Sequence, residues 1–155
     1  MKAISFRQHL PIEHPESLID VIVDAPTPGP RDLLVRIQAI SINPVDTKVR
    51  KGSGPGQPSG ELKILGWDAA GIVAEVGSGV TLFAPGDEVY YAGSVDRPGS
   101  YAEYNTGDEM IAGKKPASFD FANAAALPLT AITAWEMLFD RLRLQGDGTS
   151  GGARS

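Results

Sequence analysis

A chain of 155 residues, 42% hydrophobic and 21% charged, can bury one substantial core plus a short appendage, and it is too apolar to stay disordered. A formal net charge of −5 leaves no basic stripe for a phosphate backbone and disfavours nucleic acid as a partner. No cysteine is present, which excludes disulfides, thiolate metal sites and a cysteine nucleophile. No apolar run reaches the ~18 residues of a membrane span, and Arg7 and His9 interrupt the start of the chain where a signal peptide would be apolar. The expectation is a cytoplasmic protein with no membrane partner.

The 18 glycines and 12 prolines favour short elements joined by tight turns, hence a mainly β fold. Polar and apolar side chains alternate over Lys2 to Arg7, Leu18 to Asp24 and Leu33 to Ile42, predicting three strands. Three prolines between Ala25 and Pro30 remove backbone donors, so that stretch is a surface connection. The run Gly52 to Gly60 has almost nothing to bury and reads as a loop, one that could also gate a neighbouring site. Further strands are expected at Ala69 to Val76, Glu88 to Tyr91, Tyr101 to Asn105 and Met110 to Ala112, with turns at 77–79, 85–87 and 97–99. Strands at this spacing suit a barrel or sandwich.

Beyond Pro116 the pattern turns helical. Ser118 is placed to cap a short helix through Ala126, and Thr130 to cap a longer one through about Leu142. Ile132, Trp135, Leu138 and Phe139 recur at helical spacing, which points first to core packing. The tail contains a G-x-G-x-x-G at Gly146, Gly148 and Gly151. A phosphate-binding turn of that spacing follows a buried strand and opens a helix; this one follows a helix and sits in a glycine-rich stretch, so it reads as a chance match.

Five segments occur in an order that resembles the medium-chain dehydrogenase/reductase superfamily. They are SINPVDTKVR at 41–50, LGWDAAGIV at 65–73, PGDEV at 85–89, GSYAEY at 99–104 and AALPLTAITAW at 125–135. Their likeness is greatest to the zinc-type alcohol dehydrogenase-like, or quinone oxidoreductase, branch. That resemblance implies a GroES-like, partly open β-barrel over residues 1–128. It also implies that 129–155 hold the first helix and linker of a nucleotide-binding Rossmann domain that is not in this chain. Trp135, Leu138 and Phe139 would then form an apolar face uncovered in the chain alone. Relatives of this kind commonly form homo-oligomers, through a surface belonging largely to the other domain.

Zinc-dependent members of the superfamily hold the metal with a cysteine, the histidine and at times the glutamate of a G-H-E motif, and a second cysteine. Here Asn43 stands at the first cysteine, and Trp67 and Asp68 at the His-Glu pair. One carboxylate cannot make a tetrahedral zinc site, and His9 and His14 read as solvated histidines in a turn. No metal is expected.

The activity so implied is NADPH-dependent hydride transfer to a quinone or conjugated carbonyl, performed by positioning rather than by a metal. The resemblance places Asn43 and Thr130 beside the nicotinamide and its ribose, while a turn asparagine before Pro44 and a helix cap describe the same two residues equally well. Asp46 and Lys48 are candidates for proton transfer or anchoring, against the plainer picture of an exposed pair on a helical turn. Trp67 and, more weakly, Tyr91 are candidate pocket walls, with barrel packing as the alternative. Taken by itself the chain is expected to be inactive. The competing expectation is a free-standing GroES-like module that binds a protein through its terminal helix.

Overall fold

A computed structural model describes residues 1–52 and 60–144; the interior of the 52–60 loop and the glycine-rich tail, with its G-x-G-x-x-G, lie outside the described residues. The strands are β1 (Lys2–Phe6), β2 (Ile19–Ile22), β3 (Asp32–Ser41), β4 (Lys63–Ile64), β5 (Asp68–Val76), β6 (Glu88–Ala92), β7 (Tyr104–Asp108) and β8 (Ala112–Lys114). Helices α1 (Pro44–Arg50), α2 (Phe121–Ala125) and α3 (Pro128–Trp135) are joined by a 3₁₀ turn at Glu109–Ile111 and a π-helical turn at Glu136–Arg141.

The strands form two antiparallel sheets, β2-β1-β4 and β7-β3-β5-β6-β8. Between them runs the segment 99–103. The N–H groups of Gly99, Ser100 and Tyr101 bond to Ile64, Gly66 and Leu65 carbonyls, and Tyr101 O receives the N–H of Ile4. Glu103 joins the same strap, donating its N–H to Lys2 O and accepting that of Ile37. The sheets are thus strapped together but not closed, which is the partly open barrel the resemblance implied.

Alternation produces the core. From the five-stranded sheet Leu33, Val35, Ala69, Val73, Val89 and Tyr91 pack together, while Phe6, Val49, Leu65 and Trp67 form a second cluster under α1. Each fully buried aliphatic or aromatic side chain contributes roughly 1.5–3 kcal/mol. Two bulges, between Leu34 and Val35 and between Ile37 and Ala39, bend β3 and re-aim its end towards Asn43. Gly71 faces the bent strand so closely that a Cβ there would overlap the Arg36 carbonyl.

Four elements differ from expectation. The predicted strand at 101–105 begins instead at Tyr104, because 99–103 are engaged as the strap. The strand predicted at 110–112 starts only at Ala112, because Glu109–Ile111 turn as a 3₁₀ helix capped by Asp108, which accepts the Met110 N–H. Ser118 does not cap α2: 116–119 close as a turn, and the Asp120 carboxylate accepts the Asn123 N–H at 2.7 Å. Thr130 lies inside α3 rather than at its cap, because Pro128, with its fixed φ and missing donor, starts the helix two residues earlier. Past Trp135 the helix widens to the π form, and its apolar residues do not enter the core. Ile132 is 46%, Trp135 64% and Leu138 40% exposed, with Trp135 packed on Phe139 at 4.5 Å between ring centroids.

Candidate functional site

The corner where β3 ends, α1 begins and β5 begins is built by backbone pairing. Ser41 lies opposite Asp68 in the β3–β5 ladder, so the residues just beyond Ser41 meet the start of β5. Asn43 is the N-cap of α1, in extended conformation, with Pro44 supplying the first helical turn. Three residues into α1, Asp46 Oδ2 accepts the Asn43 backbone N–H at 2.7 Å, which satisfies a donor that the helix cannot. On the other side, Gly66 adopts φ +109 with Ser100 and Tyr101 packed against its Cα. Only glycine takes that left-handed turn at little cost, and the turn delivers Trp67 to the core and Asp68 to the corner.

Asp68 is the centre of the arrangement and is fully buried. Its Oδ2 accepts from Asn43 Nδ2 at 2.9 Å and its Oδ1 from the Leu129 backbone N–H at 2.9 Å. The second bond caps α3 from a distant strand. Leu127 occupies that helix's N-cap position and has no side-chain acceptor, so a carboxylate reaching in from β5 meets both the open N–H and the positive end of the helix. Asp68 therefore ties the amide of Asn43 to the first turn of α3.

Burial pushes the Asp68 carboxyl above the ordinary carboxylate range; the Asn43 and Leu129 donors pull it down, and the nearby Asp46 charge adds a further push upward. Burial likewise raises Asp46, against donors that include Asn43. Two carboxylates thus share a corner held by amide N–H groups. Tyr101 stands beside Asp46, its hydroxyl raised first by burial and then by the neighbouring carboxylate.

Of the residues singled out from sequence, Asn43 lies at this corner, and Thr130 follows Leu129 directly. Thr130 is exposed, and its hydroxyl points back at the carbonyls of Ala126 and Leu127, at 3.1 and 2.9 Å. Asp46 and Lys48 do not form an exposed pair: Asp46 is buried and Lys48 faces solvent, since two residues on a helix point to different sides. Trp67 packs in the core with Phe6, Val49 and Leu65. Tyr91 belongs to the other cluster, with its hydroxyl donating to Asn105 Oδ1 at 2.9 Å, so the two aromatics sit in separate parts of the core. A surface cavity of about 470 Å³ beside Met1, Lys63, Arg97 and Asn105 contains none of these residues. Sequence reasoning missed Leu129 and Tyr101, and saw in Asp68 only an inadequate metal ligand. Among the described residues no three His, Cys, Asp or Glu side chains converge as a metal site, and no helix is long and apolar enough to cross a membrane.

A strapped, unclosed pair of antiparallel sheets, with the end of β3 and the start of β5 meeting a short helix, defines a GroES-like domain. The chain belongs to the alcohol dehydrogenase GroES-like domain family, which matches residues 29–117. It is 42% identical over 144 residues to a zinc-type alcohol dehydrogenase-like protein of Staphylococcus aureus (strain MRSA252), covering 93% of this chain and 42% of that protein. Among solved structures, a candidate zinc-dependent alcohol dehydrogenase protein from Rhizobium etli CFN 42 is 52% identical with a TM-score of 0.86, over 92% of this chain and 41% of that one. Escherichia coli quinone oxidoreductase complexed with NADPH is 33% identical with a TM-score of 0.81, over 95% and 43%. The chain spans about 42% of the length of its Staphylococcus aureus relative.

Proposed function

We propose that this chain is the catalytic-domain part of a zinc-independent, NADPH-dependent oxidoreductase that reduces quinones or conjugated carbonyls, working together with a nucleotide-binding domain outside these 155 residues. The observation that carries the reading is the double engagement of Asp68. Both of its oxygens accept N–H bonds at 2.9 Å, Trp67 is turned into the core, and Asn43 presents an amide nitrogen to the carboxylate. These residues do not fit a tetrahedral zinc, which needs three or four N, S or O ligands converging on one point. They suit an organic partner that is held by hydrogen bonds. The likeness to a quinone oxidoreductase structure containing NADPH supports the choice of cofactor.

Bound NADPH would supply the hydride for an electron-poor carbon. Asn43 and Thr130 would face its nicotinamide and ribose: one offers an amide held from two sides, the other a hydroxyl oxygen with acceptor capacity left over. Fixing the Asn43 amide in advance, through Asp46 at its backbone and Asp68 at its side chain, lowers the reorganisation needed when charge develops on a substrate oxygen. Asp46 acts from inside the fold, as support for Asn43.

The purified chain mixed with NADPH and a small quinone is expected to oxidise no NADPH. Clear turnover by the chain alone would contradict the need for a second domain. The coding sequence past Ser155 is expected to enter an apolar strand and a glycine-rich turn. An immediate stop would instead favour the second reading, a GroES-like module docking through its helix, which the exposed Ile132, Trp135 and Leu138 favour.

A further inference from the structure

Among the described residues three buried side-chain polar atoms have no hydrogen-bond partner: Ser5 Oγ, Asp46 Oδ1 and the Tyr101 hydroxyl. Two of the three lie side by side, since the Tyr101 hydroxyl stands against the Asp46 carboxylate. A buried donor next to a buried acceptor is costly if left apart and favourable if joined, and the Gly66 N–H faces the same carboxylate. Tyr101 is well placed to join: its N–H bonds to Leu65 O at 2.9 Å, its carbonyl receives Ile4 N–H at 2.8 Å, and its ring packs against the cluster of Phe6, Leu65 and Trp67. The strap holds the backbone, which keeps the hydroxyl beside the Asp46 carboxylate.

We propose that Tyr101 and Asp46 are positioning residues for Asn43, acting as the inner end of one hydrogen-bonded chain that runs to the start of α3. Tyr101 donates to Asp46 Oδ1, and Asp46 Oδ2 holds the Asn43 backbone N–H at 2.7 Å. The Asn43 amide donates to Asp68, whose other oxygen holds the Leu129 N–H. A carboxylate with both oxygens engaged cannot rotate without breaking a bond, so each member restrains the next. The strap that links the two sheets thereby sets both the orientation of Asn43 and the seat of α3. The importance of that orientation rests on the reading of Asn43 as a cofactor-facing group; the chain of bonds itself does not.

The test uses the 155-residue chain and needs no turnover. Tyr101→Phe keeps the packed ring and removes only the hydroxyl. The Asn43 side-chain NH₂ and Leu129 N–H resonances are expected to shift, and Leu129 amide exchange to speed up about five- to tenfold, the effect of weakening roughly one hydrogen bond. Ser5→Ala, which removes the third unpartnered hydroxyl, should leave both unmoved. If Tyr101→Phe does not fold, Asp46→Asn is read at the same two groups, with the same shifts expected. A role confined to packing would change only neighbours of the ring in 4–6, 64–67 and 100–102. Silence at Asn43 and Leu129 in the folded variant would overturn the proposal while leaving the oxidoreductase reading intact. Turnover by the isolated chain would contradict the need for a second domain and leave the chain of bonds untouched.

Discussion

The β3–β5 ladder carries carboxylates at both ends, and the two ends solve the problem of a partly or wholly buried charge differently. At the start of β3, Asp32 receives both arms of the Arg97 guanidinium, at 2.9 and 2.5 Å, and the pair stays partly in contact with water. At the other end Asp46 and Asp68 sit buried and accept from backbone and amide N–H groups. The hydrogen bond from Arg97 holds Asp32 below the usual carboxylate range, whereas burial drives Asp46 and Asp68 above it. The first end is a fastening that favours its charged form. The second keeps charges where the fold alone would rather not have them, which is the expected signature of a corner shaped for chemistry or positioning.

The largest effect should come from Asp68. Replacing it with asparagine keeps the shape but turns one acceptor into a donor, so either Asn43 Nδ2 or Leu129 N–H meets another N–H group. A loss of about 2 kcal/mol is expected in urea unfolding, the cost of one unsatisfied buried donor. At the opposite end Arg97→Ala should lose less, about 1 kcal/mol, because its partner is reachable by water and an exposed fraction of the pair is already screened.

The finest contrast lies in the slope of stability with pH. Asp32, lowered in the fold, contributes stability that is present above its unfolded value near 3.8 and is lost as pH falls through its folded pKa. Asp46 and Asp68 have the opposite sign: the folded state binds their protons more tightly, so stability falls as pH rises from 3.8 through their raised folded values. Asp32→Asn should therefore flatten the loss on the acid side, and Asp46→Asn the decline on the side above 3.8. Urea midpoints across pH measure both; a common response of the two variants would erase the distinction between the ends.

Much of the sheet was legible because alternation reports burial directly. β3 and β5 were read nearly to the residue, and the order of five short segments pointed to the family. Local clues to some misread positions were present too. Asp46, Val49 and Arg50 fall at i, i+3 and i+4, the inward side of α1, a spacing that excludes Lys48. Pro128 marks the first turn of α3 more firmly than Thr130 could mark a cap. The role of Asp68 had no such clue. Its partners lie 25 and 61 residues away along the chain, and nothing in the periodicity of β5 distinguishes a brace from an impaired metal ligand. β4, only two residues long, exists because β1 offers it an edge, and no alternation can show in so short a run.

The zinc-independent reading proposed above rests on Asp68 committing both oxygens to Asn43 and Leu129. Loading the purified chain with zinc, removing the excess by gel filtration and counting metal by mass spectrometry tests it directly. Far less than one zinc per chain is expected, with the Leu129 N–H resonance unmoved by the metal. One tightly held zinc per chain, abolished by Asp68→Asn, would contradict it.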